Sequence, residues 1–193
     1  MATYMVFDVE SIGLHGEGFA VGYVVIDERG NHLAEARYAT HPRMASGKNH
    51  NRKWVSENVP EMPETHESPD RVRQAFWGDW IQWKRKGAIL CADVPWPVES
   101  RFLLDCIFDD WQQGPSGQAN NETELEMSGP YPLIDIASVR MAKGYNPLAT
   151  EPRHPIETPI HDPLCDARQS ARLLIQAMSA DATNPQPLNA KGE

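Results

Sequence analysis

The run Gly87–Ala92 (GAILCA) narrows the fold more than any other stretch of this chain. Six residues without a polar side chain other than one thiol cannot form a strand with a wet face. They predict a strand buried on both sides, which needs helices above and below it. Amphipathic helical stretches do flank it. Before it, Val72, Phe76, Trp77, Trp80 and Ile81 recur at helical spacing over Asp70–Lys84. A tryptophan stripe of this kind is read as core packing rather than as a stacking platform. After it, Val98, Phe102, Leu103, Cys106, Ile107 and Trp111 do the same, with Pro97 suited to the helix's first turn. Strands then helices around a buried strand make an α/β fold.

The N-terminal third supplies more strands. Tyr4–Asp8 is apolar and ends in an acid, Phe19–Asp27 follows, and Glu28-Arg29-Gly30-Asn31 signals a turn. His32–Thr40 alternates, with Ala34, Ala36 and Tyr38 on one side. These predict a three-strand antiparallel meander. His41–Pro69 is polar and reads as mostly loop with a short helical turn. Gln112–Pro130 reads as an exposed insertion, Pro132–Ile136 as a short strand, and the next helix should stop at Gly144. Four prolines make 145–160 a loop. A last helix starting at Asp162 or Pro163 presents Leu164, Ala167, Ala171, Leu174, Ile175 and Met178. The expected organisation is one domain over 1–180 and a disordered tail over 181–193.

With 193 residues the chain can bury a sizeable core. No apolar run approaches the roughly 20 residues that span a bilayer, so no membrane partner is expected. Asp8 comes too early for a signal peptide. Cys91, Cys106 and Cys165 have no metal-type spacing and read as reduced, buried thiols, so a cytoplasmic location is expected. The formal net charge of −9 does not exclude a nucleic-acid partner, because an acidic site filled with cations meets phosphate through its metals. Two basic stretches, Arg43/Lys48/Arg52/Lys53 and Lys84/Arg85/Lys86, can either track a phosphate backbone or serve as solvated surface.

Three acidic features carry the chemistry. On a strand, Asp8 and Glu10 point the same way and Val9 to the other face, so the two carboxylates can share a hard cation. Asp93 ends the buried strand, and Glu99 lies in the first turn of the following helix, both near the carboxyl ends of strands where open α/β sheets hold ligands. In His161-Asp162-Pro163-Leu164-Cys165-Asp166, Asp166 opens the last helix and His161 sits just before it. An imidazole there can take a proton from an attacking water.

In this order the motifs resemble the DEDDh branch of the 3′→5′ exonuclease superfamily, and among its members the small prokaryotic and phage-type exoribonuclease-like proteins. The resemblance runs from Tyr4 to about Met178. It implies an RNase H-like mixed sheet, the meander plus parallel strands, flanked by helices. It also implies two divalent cations, Mg²⁺ or Mn²⁺, held by Asp8, Glu10, Asp166 and a middle acid, with His161 as general base. The middle motif departs from the pattern: Glu99 stands where the family has Asp, and Asp93 has the right type but lies earlier. Glu99 is favoured, with Asp93 second or supporting. The implied substrate is the 3′ end of single-stranded nucleic acid, RNA over DNA, with nucleoside 5′-monophosphates as products. Ser11, His15 and Phe19 would border that end, and relatives often form homodimers. The rival expectations are a catalytically silent module that binds nucleic acid or a partner, and a phosphodiesterase of small nucleotides.

Overall fold

The computed structural model describes residues 2–113 and 129–179. The Trp111 side chain, nearly all of the expected insertion and the expected tail lie outside them. A five-stranded mixed sheet, ordered β3-β2-β1-β4-β5, forms the centre. β1 (Thr3–Ser11), β2 (Gly18–Asp27) and β3 (His32–Ala39) form the antiparallel meander, while β4 (Ala88–Ala92) and β5 (Leu133–Asp135) add in parallel on the other side of β1. The α/β class and the mixed sheet are therefore as expected.

Strand alternation sorts the core into two layers. Met5, Phe7 and Val9 of β1 face α2 (Pro69–Arg85) and α3 (Val98–Gln113), packing with Phe76, Trp77, Trp80, Phe102 and Leu103. Val6 faces the opposite way, toward α4 (Ile136–Ala142) and α5 (Pro163–Ser179), with Ile136, Ala167, Ala171 and Leu174. Asp8 and Glu10 share the parity of Val6 and so project on the α5 side of the sheet.

One close approach fixes how α5 begins. Gly22 pairs with Asp8, and a Cβ at Gly22 would lie 2.3 Å from the Leu164 nitrogen and 2.4 Å from the Pro163 carbonyl carbon. Only glycine lets the first turn of α5 rest on β2, beside the Asp8 carboxylate. Both contacts are backbone, which cannot swing aside. Gly22→Ala should therefore shift or unseat the start of α5, lowering Tm by roughly 5–10 °C at a cost of about 2–3 kcal/mol. A thermal melt checks this.

Several expectations need correction. β1 does not end at Asp8: pairing with β2 continues to Ser11, so both acids lie within the ladder. His41–Pro69 holds more than a short helical turn. After a 3₁₀ turn at Pro42–Met44 it forms α1 (Asn49–Asn58), which buries only Val55 and so shows no apolar periodicity. Pro97 lies just before α3, its carbonyl accepting from Arg101 N–H. In α5 the stripe is broader than expected: Leu173 and Ala177 are buried and Met178 is exposed. The three cysteines are free and buried. No helix among the described residues is long and apolar enough to cross a membrane.

Candidate metal centre

β1 and β4 run parallel, so their carboxyl ends share one edge of the sheet, and the acids collect there. Asp8 lies within electrostatic reach of Glu99, Glu10, Asp166 and Asp93, in decreasing order of influence. Burial first, then these four carboxylates, hold its carboxyl well above the usual carboxylate range. Glu10 is 8% exposed, and its carboxyl is pushed up to about 9 by burial and then by Asp166, Glu99 and Asp162. Asp166 is raised as well, chiefly by burial, although an ion pair with Arg153 opposes the shift.

The middle acids occupy different places. The pairing of β4 with β1 stops at Val6, and beyond it the backbone amides of Glu99 itself and of Val9 favour the charged form of the Glu99 carboxyl. Burial raises Glu99 to about 7 despite those amides. Asp93 sits farther along the edge, its carboxyl raised by burial and by Asp135 and Asp166, with Arg140 opposing. Of the two, Glu99 is the stronger influence on Asp8.

His161 closes the cluster from the α5 side. Its Nδ1 lies 3.7 Å from Glu10 Oε1, and its backbone N–H donates to Asp166 Oδ2 at 3.1 Å. It has φ 60°, a left-handed conformation that costs a non-glycine residue about 1–3 kcal/mol and that collects at functional sites. What holds it is the neighbouring cap: Asp162 Oδ1 accepts from Leu164 N–H at 3.0 Å and Cys165 N–H at 3.3 Å, and Arg37 pairs with the other oxygen. Glu10, His161 and Asp166 each offer one ligand atom, all within 4.8 Å of one another. Asp8 and Glu99 stand outside that set.

Two residues of the site escape sequence reasoning. Trp54 of α1 meets the His161 ring edge to face, with centroids 5.1 Å apart, while remaining 46% exposed. Arg153 donates to Asp166 Oδ1 at 2.5 Å and to the Glu157 carbonyl at 2.7 Å. Both lie in segments expected to be loop, where no periodicity marks a side chain as inward.

The three residues expected to border the substrate lie in three different settings. Ser11 Oγ donates to the Gly13 carbonyl at 3.0 Å, so the hydroxyl serves the turn. His15 is exposed at the turn's tip. Phe19 is fully buried with Ile12, Ala20, Ala39, Ala45 and Val55, and it cannot stack on a base.

The donor chemistry suits a hard cation. Five carboxylates and one imidazole converge, every carboxylate is held above its ordinary pKa, and the only described guanidinium on the central four acids is that of Arg153 on Asp166. Oxygen-rich, anion-heavy sets of this kind favour Mg²⁺ or Mn²⁺ over softer metals. No family model matches the chain, and no curated protein matches it.

Proposed function

We propose that the protein is a metal-dependent 3′→5′ exonuclease acting on the ends of single-stranded nucleic acid, RNA over DNA, with an RNase H-like arrangement of its sheet. The observation that carries this reading is the convergence of Asp8, Glu10, Glu99, Asp93 and Asp166 at one sheet edge, with His161 Nδ1 3.7 Å from Glu10. The strand order, with the acids on a central β1 between an antiparallel meander and parallel strands, is compatible with that arrangement. The preference for RNA comes from the resemblance of the motifs alone.

Asp8, Glu10 and Asp166, with Glu99 and support from Asp93, would hold two divalent cations. Such ions, when bound, neutralise the phosphate and lower the pKa of a bound water. The chain's own residues do the rest. His161, held by the Asp166 carboxylate and by the Trp54 ring, accepts the proton of the attacking water at a ring nitrogen. Arg153 fixes the orientation of the Asp166 carboxylate.

His161→Ala should lower kcat by about 10²–10⁴-fold, the usual worth of a positioned general base, while folding and Mn²⁺ binding persist. Full rate in that variant would remove His161 from the chemistry. The reading as a whole is tested with 5′-labelled single-stranded RNA and DNA in Mg²⁺ or Mn²⁺. A ladder shortening from the 3′ end is expected. No cleavage of either strand with either metal would leave a binding module or an enzyme of small nucleotides.

A further inference from the structure

A cavity of about 540 Å³ lies against α1 and includes none of the acids of the metal centre in its lining. Arg52, Val55 and Ser56 of α1 and its cap residue Val59 border it. Their spacing, i, i+3, i+4 and i+7, puts them on one face of the helix. Trp54, which meets the His161 ring, falls nearly opposite that face, two residues or about 200° round from Arg52. The helix is therefore a wall between the cavity and the candidate metal centre. A hollow of this size suits a small molecule, which is usually held by apolar walls and a few placed polar groups.

The lining has both parts. Val59 and Met62, packed on the third apolar cluster, and Pro42 and Pro60 supply apolar walls. Two guanidinium groups stand at the cavity without a counter-charge, in a chain whose net charge is −9. Arg52 donates to the Pro42 and Ala45 carbonyls and pairs with no carboxylate among the described residues. Arg43 sets its backbone N–H on the His41 ring, and its guanidinium makes no hydrogen bond or ion pair among the described residues. The carboxylates of Glu61 and Glu64 also border the cavity and are likewise unpaired. So cations and acids line one hollow without neutralising each other. Thr40 completes the lining, and its buried hydroxyl has no hydrogen-bond partner among the described residues. An unbonded buried hydroxyl is uncommon and calls for an explanation.

We propose that this cavity is a second site, separate from the acidic cluster, that binds a free nucleoside 5′-monophosphate. The phosphate meets Arg43 and Arg52, through the charge-assisted bonds that guanidinium groups form with it. The planar base lies against Val59 and Met62. Its amino and ring N–H groups donate to Glu61 and Glu64, and its ring nitrogens and carbonyls offer the Thr40 hydroxyl an acceptor. Simpler ligands fit less of the lining. Inorganic phosphate leaves the apolar walls uncovered, and a fatty acid satisfies walls and cations but sets an alkyl chain beside two carboxylates. The choice of a nucleotide rests in part on the reading of the acidic cluster as a nuclease site, whose products are of this class. The existence of the cavity does not.

The test is calorimetry on the full chain in EDTA, with AMP, CMP, inorganic phosphate and octanoate as probes. Without a cation the acidic cluster repels a phosphate, so binding in EDTA reports the cavity. AMP or CMP should bind one per chain with a dissociation constant of about 10 µM to 1 mM, the range of a ligand this small. Phosphate and octanoate should each bind at least about tenfold more weakly. Arg43→Ala, at an exposed position, should leave Tm unchanged and weaken nucleotide binding by about tenfold or more. Asp8→Asn should leave that binding unchanged. Nucleotide bound no more tightly than phosphate, or less tightly than octanoate, would overturn the proposal. So would binding that survives Arg43→Ala and changes with Asp8→Asn, which would put the nucleotide at the acids. Strand cleavage with no nucleotide bound in EDTA fails this proposal alone. Arg43-dependent binding in a chain that cuts no strand upholds the cavity and fails the nuclease reading alone.

Discussion

Asp8→Asn should lower kcat on single-stranded RNA by at least about 10³-fold, a loss of about 4 kcal/mol in transition-state stabilisation. The size follows from position. Asp8 is the carboxylate on which Glu99, Glu10, Asp166 and Asp93 all act, so it is the one placed to join the Glu10/Asp166 side of the cluster to the Glu99 side. Asparagine keeps the shape and one acceptor oxygen but loses the charge that binds a hard cation. The fold should not suffer, because the substitution removes one of several mutually repelling groups. Initial rates at saturating Mg²⁺ check the effect. A variant retaining a tenth of the wild-type rate would show that Asp8 is not the shared ligand. The exchange Glu99→Gln should cost more than Asp93→Asn, since Glu99 acts most strongly of the four carboxylates on Asp8 whereas Asp93 acts least and is offset by Arg140.

How much of this was legible beforehand depends on which physical signal each residue gives. β4 was legible because a strand covered on both faces can carry no charge. The shared direction of Asp8 and Glu10 was legible because alternation on a strand is geometric. Their partner Asp166 followed from an apolar stripe that fixes where α5 starts. Neither the Trp54–His161 contact nor Arg153 was legible. α1 is polar nearly all round and is held by the turn contact of Asn51 and by Val55, and an arginine in a proline-rich loop has no periodicity to reveal its direction. The choice between Glu99 and Asp93 also lay beyond the sequence. It depends on how the first turn of α3 packs against β1, which brings Glu99 to bear on Asp8 more strongly than Asp93. Phe19 was misplaced at the substrate because an aromatic residue after a turn looks the same whether it points out or in.

In EDTA the protein should be most stable near pH 5–6 and should lose stability as the pH rises toward 9. The sign comes from linkage. Glu10 binds its proton up to about pH 9 in the folded chain against an ordinary value of 4.5, and Glu99 up to about 7. Between these limits the folded state holds more protons than the unfolded one, so raising the pH favours unfolding. Below about pH 5 the trend reverses, because Glu17, Glu35 and Glu157, each held below its ordinary value by an arginine, lose their ion pairs on protonation. The expected fall in Tm from pH 6 to pH 9 is on the order of 5–10 °C for a chain of this size. Mg²⁺ or Mn²⁺ should abolish it at the alkaline end, because cation binding to the folded state alone neutralises the same charges and adds stability by mass action. Asp8→Asn then has to cross over: more stable than wild type in EDTA at pH 8, less stable than wild type in Mn²⁺. Melts of both proteins at pH 6, 8 and 9, with and without metal, read all of this at once. A wild-type Tm that is flat in pH and blind to both metals would mean that the five carboxylates are neither strained together nor able to hold a cation.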